Sequence, residues 1–175
     1  MTFRTEFNAE PAHFTINPNH NILLLGSCFT EGIGRRLQEY KFQAHFNPFG
    51  IVYNPVSIAN SLEMMYNENY DSFIGELFEN QGLWNSWSFH SSFSAPARAQ
   101  ARDAMETACR KAAARLRNCD VLLITFGISH VFQLLQNDQI VANNHKMPAH
   151  LFSQSRLSVE TMVEKMKIAI EMVQI

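Results

Sequence analysis

The sequence lacks a long apolar run, has few charged residues and contains only three cysteines. Three is an odd number, and Cys28, Cys109 and Cys119 show no paired spacing, which argues against a disulfide framework and against a cysteine-based zinc site. No grouping of His, Asp and Glu has metal-ligand spacing, so we expect neither a metal nor a cofactor. No stretch is long enough to span a membrane.

The charge balance excludes further classes of partner. The net charge is −2 and charged residues make up only 17% of the chain, so nothing favours nucleic acid or an anionic membrane. The N-terminus has no apolar core of the kind that a secretory signal needs, and we therefore expect a cytoplasmic protein. At 46% apolar, the 175 residues are enough for one domain over residues 1–175 with a sizeable core.

What the sequence does contain is an alternation of apolar runs and helical patterns. Ile22 to Leu25 form an apolar run that ends in Gly26, which predicts a buried strand followed by a helix. The predicted helices cover about 29–40, 55–67, 96–117 and 158–173, and the predicted strands cover 22–26, 42–46, 121–126, 130–135 and 139–142. The alternation predicts an α/β fold with three layers, a mainly parallel sheet with helices on both faces, as in flavodoxin-like proteins. Residues 68–94, which hold both tryptophans, are interpreted as an insertion or lid.

Several finer features of these elements follow from local patterns. Asn54 before Pro55 predicts a helix start, and Ser158 is expected to cap the last helix. The apolar residues that recur at helical spacing are Phe29, Ile33, Leu37 and Tyr40 in the first helix and Val159, Met162, Val163, Met166 and Ile170 in the last. The apolar run at 121–126 predicts a strand that is buried on both faces.

The last predicted helix is not followed by another strand. A crossover helix in such a fold normally leads to a further parallel strand, so we expect the fold to be incomplete at its C-terminal side. The strand at 121–126 would then lie at an exposed sheet edge, through which the chain would self-associate.

Ser27 is the most informative residue, because it lies where the first strand ends and the first helix begins. Ligands of α/β sheets bind at such points, and the first N–H groups of the helix carry partial positive charge. A serine here can attack an acyl group while the same turn holds the oxyanion. The alternative is a structural role, because serine is a preferred N-cap residue. No Gly-Lys-Ser or Gly-Lys-Thr follows, so a P-loop is not supported.

Five blocks of the sequence resemble one known family. The segment Gly26-Ser27-Cys28-Phe29 resembles the signature from which the GSCFA family takes its name. The later blocks begin at Asn47, Trp87, Thr125 and Val141, in the order in which the family has them. The sequence departs from the family at Asn144, where cysteine is common, and at 128–130, where Thr-Ala-Trp is common.

The GSCFA family is similar to the SGNH, or GDSL-like, hydrolases, and this resemblance implies roles for individual residues. Ser27 is implied as the nucleophile, and the backbone N–H groups of Ser27 and Gly50 as oxyanion donors, with the side chain of Asn54 as an alternative. Ser129 or His130 stands where such enzymes carry an Asn, and their Asp and His pair would lie beyond Ile175.

Histidines and neighbouring polar residues complete the candidates. His145 is either a base near Ser27 or a loop residue that caps backbone groups, and Asn144 and Lys146 beside it are candidate substrate-binding residues. His90 and His130 are further candidates for binding a polar substrate, and each has a structural role as its alternative.

Two functions are compatible with these residues. The first is a serine esterase or acyl hydrolase that acts on a small or carbohydrate-linked ester, with a proton-relaying His that comes either from a segment beyond Ile175 or from His145. The second is a non-catalytic α/β domain that binds a ligand or partner in the same crevice.

Overall fold

Eight strands and five helices make up the part of the chain that the computed structural model describes, which is residue 7 and residues 10–173. The strands are β1 (Asn21–Gly26), β2 (Gln43–Phe46), β3 (Phe78–Asn80), β4 (Leu83–Asn85), β5 (Val121–Thr125), β6 (His130–Leu134), β7 (Ile140–Val141) and β8 (Phe152–Arg156). The helices are α1 (Cys28–Glu39), α2 (Pro55–Asn67), α3 (Tyr70–Ile74), α4 (Arg98–Arg117) and α5 (Val159–Val173). None of these helices is long and apolar enough to cross a bilayer.

A parallel sheet with the strand order β2-β1-β5 lies at the centre of the fold. Side chains of β1 alternate between its faces: Leu23 and Leu25 pack in the main core, to which α2 and α4 contribute, while Ile22 and Leu24 pack in a smaller cluster with α1. The predicted α/β class with a parallel sheet and helices is confirmed. Because the three strands run in one direction, their carboxyl ends meet at one edge of the sheet.

A second, antiparallel sheet has the order β7-β6-β8. The predicted hairpin is confirmed by the pairing of β6 with β7, in which Phe132 lies opposite Val141. No apolar run predicted β8, which pairs with β6 along five residues. Only Phe152 of β8 is buried, and residues 154–156 are polar and exposed, so backbone hydrogen bonds to β6 hold most of this strand.

The prediction that β5 is buried on both faces is wrong. All five of its residues are half-buried, because β5 pairs with β1 along one side and with no other strand in residues 10–173. The apolar composition of β5 therefore belongs to a strand at the edge of the sheet. Self-association through this edge stays a prediction.

Helix α1 turns a different face to the sheet from the one that the apolar periodicity predicts. Phe29, Ile33 and Tyr40 are exposed, and the buried residues of α1 are Thr30 and Gly34. A Cβ atom at Gly34 would lie only 2.3 Å from the ring of Phe46. Because α1 lies so close to β2, only small residues fit on the face of the helix that contacts the sheet.

Helix α5 also buries a narrower face than predicted. Ser158 caps it as expected, since its Oγ accepts the N–H of Thr161 at 3.1 Å. Met166 and Ala169 are buried, whereas the other predicted inward residues Val159, Val163 and Ile170 are between 50% and 64% exposed. Part of this stripe lines an apolar groove of about 380 Å³ beside residues 126–129.

The segment 68–94 contains more regular structure than the sequence predicts. It comprises α3, the antiparallel pair β3 and β4, and a single 3₁₀ turn at Ser91–Phe93. Ile74, Leu77 and Phe89 from this segment belong to the main core. The segment is therefore packed into the domain, and its action as a lid stays a prediction.

Candidate functional site

Ser27 occupies the N-cap position of α1 at the carboxyl end of β1. Its backbone is extended, with φ −72° and ψ −178°, but its side chain makes no capping hydrogen bond. The residue is half-buried, and its Oγ lies 3.3 Å from Oγ1 of Thr125 at the end of β5. The structural alternative, a serine that caps the helix, is therefore not what the structure shows.

The residue before Ser27 must be glycine. Gly26 has a φ of +143°, and a Cβ atom there would lie 2.2 Å from the carbonyl oxygen of Thr125. The N–H of Gly26 donates to Oδ1 of Asn47 at 2.9 Å, and the N–H of Asn47 donates to the carbonyl of Leu24 at 2.9 Å. The ends of all three parallel strands are thus held together around Ser27.

Thr125 connects Ser27 to the interior of the sheet edge. Its Oγ1 accepts the backbone N–H of Ser27 at 3.3 Å and forms a short hydrogen bond with the hydroxyl of Thr30, which is fully buried. No sequence pattern predicted Thr30, Thr125 and Asn47 as neighbours of Ser27. The spacing of Thr30 could have indicated its position, because a residue three places after Ser27 lies one turn along the helix on the same side.

Two predicted oxyanion donors, the N–H groups of Ser27 and Gly50, donate within the chain. The other two, Asn54 and Ser129, use their side-chain oxygens as acceptors. The N–H of Gly50 donates to the carbonyl of Asn47 at 2.9 Å. Asn54 is 6% exposed, and its Oδ1 caps α2 by accepting the N–H of Ser57 at 2.8 Å, as the Asn-Pro pattern predicts. Ser129 Oγ accepts from Nε of Arg156 at 3.3 Å.

The amide of Asn47 is only half satisfied. Its Oδ1 accepts from Gly26, whereas its Nδ2 is buried without a hydrogen-bond partner. A buried donor without a partner destabilises a fold by about 1–3 kcal/mol. This loop nevertheless stays close to Ser27, because the N–H of Val52 donates to the carbonyl of Gly26 at 3.1 Å.

His145 lies in a buried aromatic cluster and forms no hydrogen bond with Ser27. It is 8% exposed, and its ring packs edge-on against Phe78 and Trp87. Its Nε2 donates to the carbonyl of Ser86 at 2.7 Å, which leaves Nδ1 unprotonated, buried and without a partner. The side chain therefore links the segment 68–94 to the loop after β7.

The remaining candidates lie in loops and at a strand end. Asn144 forms a tight turn, with Oδ1 accepting the N–H of the exposed Lys146 at 3.2 Å. His90 packs against Gly50, where a Cβ would lie 2.1 Å from that of His90, and its Nδ1 accepts the N–H of Ser92 at 3.2 Å. His130 is exposed in β6. Of these residues, the structure brings His90 to the loop beside Ser27.

The burial of His145 predicts a pH-dependent stability. Burial is the largest cause that lowers its pKa, so the folded protein holds the ring neutral, whereas the unfolded chain binds a proton below the ordinary pKa of about 6.5. The unfolded state then binds more protons, and the free energy of unfolding is expected to fall as the pH decreases from about 7.5 to about 5.5. Urea unfolding at both pH values measures this.

Two variants separate the contribution of His145 from that of the other histidines. His145→Gln is expected to reduce the loss of stability between the two pH values, and part of the loss remains because burial also lowers the pKa of His45. The matched control is His130→Gln at an exposed position, which is expected to keep the full pH dependence. An unchanged pH dependence in His145→Gln would contradict the prediction.

The fold and the site define an α/β protein with a hydroxyl side chain at the carboxyl edge of a parallel sheet. The sequence profile of the GSCFA family matches residues 21–175. The chain belongs to the GSCFA family. Searches among curated proteins and among solved structures found no match.

Proposed function

We propose that this chain is a serine acyl hydrolase of the SGNH type and that Ser27 is its nucleophile. The observation that carries the proposal is the state of the Ser27 side chain, which stands at an N-cap without capping the helix. A serine whose only role is structural would satisfy a first-turn N–H, since this is what stabilises an N-cap. The Oγ of Ser27 is instead held 3.3 Å from Thr125 at the edge where α/β folds bind ligands.

The start of α1 supplies the electrostatics that such a reaction needs. The first N–H groups of a helix have no partner within it, and the helix dipole adds partial positive charge at this end. The backbone N–H groups of Cys28 and Phe29 are therefore the donors for an oxyanion formed at Ser27. Both residues are exposed, so an ester carbonyl can approach them from solvent.

The chemistry is acyl transfer to the Ser27 hydroxyl. The Oγ forms a bond to the carbonyl carbon, its proton passes to a base, and the alcohol of the ester leaves with a proton. Water then attacks the acyl-enzyme and releases the acid. The sequence offers two sources for the base, a His beyond Ile175 and His145, and His145 is bonded to the carbonyl of Ser86 and not to Ser27. The substrate class that we propose is a small or carbohydrate-linked ester.

A fluorophosphonate probe tests this proposal without knowledge of the substrate. Ser27 Oγ would attack phosphorus, fluoride would leave, and mass spectrometry of peptides would locate the adduct. We expect one adduct, on Ser27, and release of p-nitrophenol from p-nitrophenyl acetate. A folded protein with no adduct at Ser27 would contradict the proposal.

A second function is favoured by the internal use of the predicted oxyanion donors. Because the N–H of Gly50 is bonded to Asn47 and Asn54 caps α2, a binding domain without catalysis needs no rearrangement of this loop. Such a domain would bind ligand at the same edge of the sheet and would show neither turnover nor an adduct at Ser27.

A further inference from the structure

The hydroxyl groups of Ser27, Thr30 and Thr125 meet at the carboxyl end of β1, although they come from two distant parts of the chain. Thr125 Oγ1 lies 3.3 Å from Ser27 Oγ and 3.3 Å from the backbone nitrogen of Ser27. The hydroxyl of Thr30 forms a short hydrogen bond with the same Oγ1. Thr125 is therefore the shared partner of the Ser27 backbone, the Ser27 side chain and Thr30.

The burial of Thr30 favours one direction for these hydrogen bonds. A threonine hydroxyl has one proton and accepts two hydrogen bonds. Thr30 is fully buried, and Thr125 is the partner that its hydroxyl has, so the buried Thr30 O–H is satisfied by donating to Thr125. Thr125 then accepts from Thr30 and from the Ser27 N–H, and its own proton is directed to Ser27 Oγ.

We propose that Thr125 is a positioning residue for Ser27, an inference that rests on the proposed function of Ser27 as nucleophile. The Thr125 hydroxyl donates to Ser27 Oγ and holds it away from the helix N–H groups that it would otherwise cap. Because Ser27 accepts this bond, its own proton remains available to a base. A hydrogen bond to an oxygen strengthens as that oxygen gains negative charge, so the Thr125 bond stabilises Ser27 Oγ while its proton passes to the base.

The backbone around Thr125 is built to hold this geometry. Thr125 lies opposite Gly26 in the parallel register of β5 and β1, and the missing side chain of Gly26 is what lets the strands approach. A β-branched side chain has few χ1 rotamers, which keeps the Thr125 hydroxyl in one direction. Valine has nearly the same shape and retains this stiffness while it removes the hydroxyl.

The test compares the rate of fluorophosphonate labelling at Ser27 in the whole chain and in two variants. Loss of a hydrogen bond to a developing charge predicts labelling about tenfold slower in Thr125→Val. Thr125→Ser keeps the hydroxyl, and we expect its rate to stay within about threefold of the original because only rotamer freedom is gained.

The possible outcomes separate this inference from the proposed function. An absent adduct in the original chain overturns the proposed function, and this inference with it. An adduct at Ser27 that forms at the same rate in Thr125→Val and in the original chain overturns the positioning role alone. Circular dichroism checks folding, and Thr125→Ala, judged by the same criteria, replaces Thr125→Val if valine prevents folding. Slower labelling in a folded Thr125→Val, together with a nearly original rate in Thr125→Ser, supports the inference, because the two variants differ in whether the hydroxyl is present.

Discussion

Replacing Ser27 by alanine is expected to abolish the reaction with fluorophosphonate and with p-nitrophenyl acetate. Removal of the nucleophile of a serine hydrolase lowers the rate by at least about a thousandfold, because no other group takes over the covalent step. The fold should survive, since the Ser27 side chain makes no capping bond and is only half-buried. The measurements are the rate of p-nitrophenol release and the yield of the labelled peptide.

Two controls make this result specific to Ser27. Ser155→Ala changes an exposed serine of β8 and is expected to leave both rates unaltered. Cys28→Ser removes the exposed thiol next to Ser27 and shows whether p-nitrophenyl acetate reacts with sulfur instead. Turnover that persists in Ser27→Ala at the original rate would end the assignment of the nucleophile.

The second large effect is expected from alanine at Gly26. The added Cβ would lie 2.2 Å from the carbonyl oxygen and 2.4 Å from the hydroxyl of Thr125, and the φ of +143° is unfavourable for any residue with a side chain. Overpacking and backbone strain each destabilise by about 1–3 kcal/mol, so the free energy of unfolding should fall by about 3 kcal/mol or more. Thermal and urea unfolding measure the loss.

Gly32→Ala is the matched control for Gly26→Ala. Gly32 lies on α1, and a Cβ there would meet nothing within 4 Å. Alanine is favoured over glycine inside a helix by about 1 kcal/mol, so this variant should be as stable as the original chain or more stable. Equal melting temperatures for Gly26→Ala and the original chain would show that the strands can separate at this point without cost.

The sequence predicted those parts of the fold whose signals are local. Asn54 and Ser158 cap α2 and α5 as expected, because a capping side chain and the N–H that it accepts are three residues apart. The faces of α1 could not be predicted in this way. Periodicity selects large apolar residues such as Phe29, whereas the close approach to β2 requires the small Gly34 on the inner face.

Long-range geometry limited what could be predicted about the site. Ser27 was identified because an apolar run that ends at Gly26 directly precedes it, and this signal spans only a few neighbouring residues. Its main partner, Thr125, is 98 residues away and becomes a neighbour only through the register that sets Gly26 opposite it. The oxyanion role implied for Gly50 did not account for the turn in which its N–H bonds to Asn47. These contacts depend on the register of the strands and on the conformation of the loops, and a pattern in a single sequence indicates neither.

The distance along the chain between Ser27 and Thr125 gives the pair a further use. Two groups separated by 98 residues can touch only when β1 and β5 are paired, so chemical reactivity at this serine becomes a reporter of the intact domain. In rising urea, the labelling rate should decay in parallel with the circular dichroism signal. If the labelling rate decays at lower urea than the circular dichroism signal, β5 detaches from β1 before the rest of the domain unfolds, as a separate cooperative unit.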